Sequence, residues 1–506
     1  MGIRSGAAAL AVGVLLLAAG GCGGGPTSPP ENQNTSFPPA TIPLAKLSAD
    51  TFVNSSSQHA TEVEPARFSY GSTIITTFQV GRIFGGGAAD IGYAISNDNG
   101  VTWQNGLLPG ITSFEGAGAD SAASDTSVIF DAKHGEWLIA SLGISTSGTS
   151  ATSIQILVSG SSDGGASWGN PVVVSLGANL DKPWITCDNS STSPHYGNCY
   201  MQWDDAGASD QMWMSASSDG GLTWTAPLTP TGSVHGLGGQ PLVQPNGTVV
   251  VPFFADSFDI ESFSSSDGGA SWTQPVLVSH ISAHAVAGGL RFLSLPSAAM
   301  DALGNIYAVW ADCSFRAGCA SNDLVMSSSS DGAHWSSVSR VAADSVGSTV
   351  DHFIPGIAID PTTSGSTAHI GITYYYYPVA NCTASTCALY VGFISSGDGG
   401  NTWSAPTPVA GPMSLSSLPS TDQGSMVGDY IATSFAAGKA YGFFAVAKTK
   451  SGSTFDEAIY TTQSGFDVAA AEKSVAGERR MENAAHRANA SASSVEKPVV
   501  TPITRR

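Results

Sequence analysis

Charge is scarce in this chain, with Asp, Glu, Lys and Arg making up only 11% of 506 residues. With so little charge, long helices are not expected. Basic residues are scarcer still, 19 against 39 acidic, and the formal net charge is −20. A field of that sign keeps a protein soluble and repels phosphates, so nucleic acid is not a partner, and an acidic glycan would need locally placed arginines. No Gly-x-Ser-x-Gly elbow, P-loop, His-Glu-x-x-His or EF-hand loop occurs, and with them go the chemistries those motifs serve. No cofactor and no metal are expected. What is abundant is glycine, 59 residues, together with Ser and Thr, which suits a turn-rich all-β fold.

The two ends differ from the middle. Arg4 precedes an apolar run from Ala7 to Ala19 that ends at Gly20-Gly21-Cys22. A basic start, a short apolar stretch and small residues before a cut describe a secretory signal, too short for a spanning helix. Cys22 after small residues resembles a bacterial lipobox, with Ala19 where the pattern usually has Leu. Residues 1–22 are thus expected to be a lipoprotein-type signal, 23–45 a flexible Gly/Pro/Ser-rich tether, 46–468 the folded domain and 469–506 a disordered or weakly helical tail. The expected location is the cell envelope, exported and lipid-anchored to a bacterial membrane, with no other membrane contact and a monomeric state. Six further cysteines fall into close pairs, Cys187 with Cys199, Cys313 with Cys319 and Cys382 with Cys387. Each pair would close a local loop worth roughly 2–4 kcal/mol if oxidised. A metal site is the alternative, and no pair has a second Cys or His pair at zinc spacing nearby.

One octapeptide recurs at Ser96 to Trp103, Ser161 to Trp168, Ser217 to Trp224, Ser265 to Trp272 and Ser396 to Trp403, and a shortened copy runs from Ser329 to Trp335. Its residue types suit a β-hairpin: the Asp accepts from backbone N–H groups of its own turn, Gly supplies φ > 0, and Trp opens the next strand over an apolar face. Asp98, Asp163, Asp219, Asp267, Asp331 and Asp398 are therefore read as structural. They lie 48 to 67 residues apart, room for four short strands per unit. The pattern Ser-x-Asp-x-Gly-x-x-Trp resembles the Asp box of BNR repeats in sialidase-like propellers. That resemblance implies a β-propeller of four-stranded antiparallel blades, with the boxes away from the ligand face. Seven blades are expected, with six as the alternative. The seventh unit, Gly428 to Thr462, has no box and lacks a fourth strand, which Leu47 to Val53 would supply. Blade sheets are expected to be separate, divided by buried apolar layers.

The same resemblance implies a ligand site around the first strands. Sialidases work there with three arginines on the sugar carboxylate, a Tyr nucleophile paired with a Glu, and an Asp acid/base. Here Val63 stands where the first clamp arginine would be; Gly81-Arg82 with Asp90 resembles the acid/base region, and Gly428-Asp429-Tyr430-Ile431 the nucleophile segment. Tyr430 and Asp90 are the candidate catalytic residues, Arg291, Arg82 and Glu64 the candidate ligand contacts, and Glu261 a second choice for the paired Glu. Only Arg67, Arg82, Arg291, Arg316 and Arg340 are available for a clamp, and only Arg291 lies just upstream of a first-strand proline, Pro296. Lys cannot replace their bidentate geometry. His235, His284 and His352 precede first strands and could share one end of a channel; Asp204, Asp205 and Asp210 could hold calcium or form a solvated loop. Tyr374 to Tyr377 could pack between blades or stack on sugar. Three functions are open: a propeller binding a glycan or surface protein ligand without catalysis, an exo-α-sialidase-like retaining hydrolase, or a structural or assembly protein of the envelope.

Overall fold

The structure, a computed structural model, describes residues 39–147 and 150–468. The expected signal with Cys22, most of the tether and the tail lie outside the described residues. Among the described residues there is no α-helix, only short 3₁₀ turns between strands.

The strands succeed one another as antiparallel runs. Ser57–Tyr70, Thr73–Ile83, Ala88–Ser96 and Gln104–Leu107 form the first, and Ala122–Asp131, Glu136–Ser147, Ser150–Ser161 and Val172–Leu176 the second. Leu180–Cys187, Cys199–Asp205 and Gln211–Ser217 make the third, where a lone bridge, Met214 to Leu228, stands for the fourth strand. In the fourth run, Gly236–Leu237 and Leu242–Val243 both pair with Val249–Ala255, followed by Asp259–Ser265 and Val276–His280. The fifth comprises Ser297–Met300, Ile306–Asp312, Asp323–Ser329 and Ser339–Val341, and the sixth Asp351–Ile359, Ile370–Tyr377, Ala388–Ser396 and Thr407–Ser414. Ala432–Ala436, Lys439–Ala447 and Glu457–Thr462 make the last, and the missing outer strand comes from the N-terminal segment.

That strand is Leu44–Lys46, paired antiparallel with Tyr460 to Thr462. It lies three residues before the expected Leu47 to Val53, because Asp50 folds the chain away: its carboxylate accepts the amides of Phe52 (2.8 Å) and Ala60 (2.8 Å), and Val53 is left exposed. A second expectation needs correcting. By hydrogen-bond continuity the last, first and second runs belong to one 13-stranded sheet, which contains two of the Trp-ended hairpins. The continuity passes through single residue pairs, Thr61 with Glu457 and Ala88 with Ala123, whereas strands inside a run pair along their length.

Burial keeps the same order. Ile75, Ile91 and Ile95 of the first run pack with Ile139 and Leu157 of the second. Leu138 and Ile156 pack with Met201 and Trp203, Met212 and Met214 with Val251 and Phe253, Phe254 and Ile260 with Trp310 and Val325, and Val309 and Met326 with Ile370 and Ile372. The largest layer joins Phe353 and Tyr375 of the sixth run, Phe443 and Phe444 of the last, and Phe78 and Val80 of the first. Each run thus buries both faces against its chain neighbours, and the sequence of layers returns to its start. The tyrosine run belongs to these layers: Tyr375 gives its hydroxyl to Ala445 O (2.9 Å), and Tyr376 stacks on Tyr390 at 5.3 Å.

The octapeptide turns sit at the end of the third strand of a run. In each, the Ser hydroxyl bonds the Asp carboxylate and accepts the Gly amide; at the first, Ser96 Oγ to Asp98 Oδ1 is 2.8 Å and Gly100 N to Ser96 Oγ 2.8 Å. There the Asp also accepts from the residue four on, Thr102 N at 2.8 Å, and the box Gly has positive φ in all six copies, between 71° and 87°. Hydrogen bonds from Thr102 and Ser96 hold the Asp98 carboxyl down at about 2, and Asp163 and Asp267 are held there in the same way.

All three expected disulfides are present. Cys187 bonds Cys199 across the first two strands of the third run, where the two residues face each other in register. Cys313 bonds Cys319 within the connection from Ile306–Asp312 to Asp323–Ser329 of the fifth run, and Cys319 turns its chain with a left-handed backbone, φ 53°. Cys382 bonds Cys387 in the corresponding connection of the sixth run, where Cys387 N also donates to Thr383 O at 2.8 Å.

Candidate functional site

The first strands share an irregularity. Register slips between Val63 and Ala66, Ser124 and Ser127, Asp181 and Trp184, and Phe353 and Gly356. At each slip one non-glycine residue takes a left-handed backbone: Glu64 (φ 57°), Asp125 (34°), Lys182 (46°) and Ile354 (50°). A bulge re-aims the side chain of its extra residue, and left-handed non-glycine positions cost of order 1 to 3 kcal/mol, a strain that clusters at functional sites. Proline follows Glu64, Lys182 and Ile354, and Pro has no N–H to give the ladder; the bulge is where a strand tolerates it.

Three of these first strands bring charge together with Arg291 and Asp429, which precede the first strands of the fifth and last runs. Asp429, 2% exposed, accepts Arg291 Nε (2.7 Å), Arg291 Nη2 and Lys182 Nζ (2.7 Å). Lys182 Nζ also reaches Asp125 Oδ1 at 3.2 Å. Glu64 accepts the Asp429 amide (2.9 Å) and the Gln79 side-chain amide, and Gln79 Oε1 accepts Arg82 Nη1 at 2.9 Å. Burial penalises every charge here, but the outcomes differ. Arg291 and Lys182 outweigh it at Asp429, whose carboxyl is held far below the usual range. Lys182 is raised well above its usual value despite burial, because Asp125 and Asp429 face it. Glu64 has no cation of its own: burial, then Asp125, push it up to about 7.

This group lines a cavity of about 280 Å³, with Arg82, Asp125, Lys182, Arg291 and Asp429 in its wall beside Ser124, Asn179 and Gln423. Asp125, Lys182 and Asp429 also face a water-sized gap lined by Trp184, Gln240, Leu295, Ile354 and Tyr430. A second, more apolar cavity of about 330 Å³ takes residues from the first strands of every run: Arg67, Ile129, Thr186, Leu242, Ala299, Ala358 and Ser434.

Of the candidate residues, Glu64, Arg82 and Arg291 meet in the charged group. Tyr430 borders it, with Trp184 edge-on at 5.5 Å. Its hydroxyl accepts Thr126 N (2.9 Å) and donates to Thr126 O (3.2 Å), and burial followed by Glu64 keeps its proton on well above the usual phenol range. Asp90 lines none of these cavities; it accepts Ile91 N (2.8 Å) and Thr112 Oγ1 (3.1 Å), and burial pushes it up to about 8. Glu261 lies on a later strand of the fourth run, so Glu64 is the glutamate beside Tyr430. The remaining arginines are engaged elsewhere: Arg67 with Thr433 O and Ile357 O, and Arg316 and Arg340 each with Asp323 and Asp344. Val63 is buried inside its strand. The disulfides stand apart from the charged group: Cys187 borders only the apolar cavity, and Cys313, Cys319, Cys382 and Cys387 line neither. His352, buried against Tyr374, and His284 both bond Asn322, His352 through Nδ1 (3.2 Å) and His284 through its backbone (2.7 and 2.8 Å), while His235 is bound to Ser209 O (2.6 Å) in the third-to-fourth connection. Donor atoms of Asp323, Asp344 and His352 lie within 4.8 Å of one another, but two arginines already balance the two carboxylates.

Asp125, Lys182 and Asp429 were not among the sequence candidates. For Asp125 and Lys182 the signal was the bulge position itself, directly before Pro183 in the second case, and it reads only once the first strands are aligned; Asp429 lies outside any slip, directly before Tyr430.

No protein-family model and no curated protein matches the chain. Solved structures resemble it at low identity. A PL25 ulvan lyase, a polysaccharide lyase, is 12% identical over 87% of this chain and 99% of its own, with a TM-score of 0.48. The NanB sialidase of Streptococcus pneumoniae is 13% identical over 85% and 72%, TM-score 0.41. A Dyadobacter fermentans protein of unknown function is 15% identical over 70% and 98%, TM-score 0.42.

Proposed function

We propose that the chain is an exported, lipid-anchored seven-bladed Asp-box propeller that binds glycans at the face where the first-strand bulges meet. Support for the radial arrangement comes from the apolar layers that return to the first run and from the cavity lined by the first strands of every run. Support for glycan binding comes from a polar cavity of about 280 Å³ whose wall offers carboxylate, amide and hydroxyl groups, the donors and acceptors that fix a sugar's orientation.

One observation supports a particular class of sugar. Lys182 and two of the three Arg291 nitrogens, Nε and Nη2, are committed to Asp429. A sugar carboxylate taking those same donors would have to displace a fully buried internal one, leaving it uncompensated. Neutral polyhydroxylated glycans are therefore the preferred ligands, with Asp125 as a principal contact. A glycan array carrying neutral and sialylated glycans tests this. Retention of neutral glycans, lost in Asp125→Ala, is expected; retention of sialylated glycans alone would overturn it.

A hydrolase reading draws on Glu64, a buried carboxyl pushed up to about 7 beside Tyr430, since a proton held near neutrality is what a general acid needs. Against it stands the Tyr430 hydroxyl, spent on Thr126 and held protonated. Turnover of a fluorogenic sialoside that disappears in Tyr430→Phe would establish this reading in place of the first.

A further inference from the structure

The joint between the two ends of the fold carries an arrangement unrelated to the charged cavity. Glu457 opens the strand that receives Leu44–Lys46, and it pairs with Thr61, the neighbour of Glu62. Glu457 is 0% exposed and neither carboxyl oxygen has a partner among the described residues. Glu62 is 1% exposed; one of its oxygens accepts Ser48 Oγ at 2.7 Å and the other has no partner. Ser48 ties the segments together, because its hydroxyl also accepts Ile459 N (2.8 Å), while Leu47 N donates to Ile459 O (2.8 Å).

We propose that this joint is held by protons: Glu62 and Glu457 form a buried acid pair that closes the ring when protonated and loosens it as both ionise.

Among the described residues no cation is placed to hold either carboxylate. Lys46 acts weakly on Glu62, and its effect is opposed by Asp50 and Asp456. His59 is turned to Asp50 at 3.4 Å. From the sixth run Tyr375 faces Glu457, but its hydroxyl is spent on Ala445 O and N, at 2.9 and 3.0 Å. Burial therefore pushes Glu62 up to about 7, and burial with Glu62 alongside pushes Glu457 well above the carboxylate range. Both folded values lie above the unfolded ones, so the contribution to stability is complete below about pH 4.5 and is lost as pH rises through 7 and beyond. Loosening reaches the ligand site too, because Glu64 lies two residues along the same strand.

The test is native-state hydrogen exchange on the purified protein, with protection factors at Leu47 and Ile459 compared with those at Val309 and Val325 of the fifth run from pH 5 to pH 8. Each proton released is worth up to about tenfold per pH unit. Protection at the joint should fall by about tenfold or more while the fifth run stays level, and Glu457→Gln or Glu62→Gln should flatten the fall. A fall that persists in both variants, an equal fall in the fifth run, or no fall would overturn the proposal. Should the variants not fold, infrared spectroscopy of the wild type decides: protonated-carboxyl absorption must be lost over the same pH range as joint protection, and joint protection that falls with no such loss refutes the pair.

Discussion

The Trp-ended turns and the first-strand bulges are both repeated devices, yet they repeat different things. At the turns, backbone and side chains recur together: Ser bonds Asp, Asp bonds the residue four on (three on in the shortened copy), and Gly takes positive φ, so each turn satisfies itself. At the bulges only the backbone recurs. The residue carried there is Glu64, Asp125, Lys182 or Ile354, and the charged ones draw on other runs: Lys182 on Asp125 and Asp429, and Glu64 on the Asp429 amide beside Gln79 of its own run. A repeat that keeps its chemistry is holding the fold together, whereas one that keeps its geometry and varies its chemistry is presenting something.

The largest effect that would sharpen this contrast lies at Asp429. Asp429→Ala leaves Arg291 and Lys182 without their carboxylate in a buried setting, where breaking such a group costs about 3–5 kcal/mol. A steep fall in Tm and loss of glycan retention are expected by calorimetry and array. A loss below about 1 kcal/mol would mean that water, not Asp429, serves the two cations. At the turns the comparable change is Gly165→Val. Gly165 has φ 87°, and an added Cβ would meet Ile95 and Ile75 at 2.7 and 2.8 Å, so about 1–3 kcal/mol should be lost with ligand retention unchanged. Equal effects of the two substitutions on ligand retention would dissolve the distinction.

The two devices were also unequally legible. A Trp-ended turn closes within its own octapeptide, so its hydrogen bonds come from residue types at fixed spacing, and the all-β class and the strand order come with it. The cysteine pairs are legible for the same reason: Cys313 with Cys319 and Cys382 with Cys387 each lie within one connection. The charged group depends on contacts such as Asp429 with Glu64, 365 residues apart, and no local pattern specifies which charge faces which. Arg82, Arg291 and Glu64 were found because few arginines and glutamates exist to choose among. Asp125 and Lys182 escaped because an aspartate in a Ser/Thr-rich strand and a lysine before proline look like ordinary strand residues until the bulges are superposed. The N-terminal strand was misplaced by three residues for a related reason: an extended segment can pair at several offsets, and the Asp50 turn that selects one is itself set by contact with Ala60.

A smaller effect is expected at Tyr430. Tyr430→Phe removes a hydroxyl that serves both the N–H and C=O of Thr126, costing about 1–2 kcal/mol. In a binding propeller ligand retention should persist through that loss, measured on the array beside the wild type; abolished retention with an unchanged Tm would make the hydroxyl a ligand contact.

The smallest effect separates the devices by pH. Asp267 sits at about 2, held there first by the Ser271 hydroxyl, below an ordinary 3.8. A depressed carboxyl contributes stability above its unfolded value and loses it as pH falls, here between about 4 and about 2. Glu64, at about 7, has the opposite sign: its neutral form suits the fold, and stability is lost as pH rises from about 4.5 through 7. Asp267→Asn should therefore flatten only the acid limb of a Tm-versus-pH curve, by little because the group is exposed and screened, and Glu64→Gln only the neutral limb. If Asp267→Asn instead moved the neutral limb, the turns and the cavity would be electrostatically coupled, and the division between a self-contained turn and a shared centre would fail.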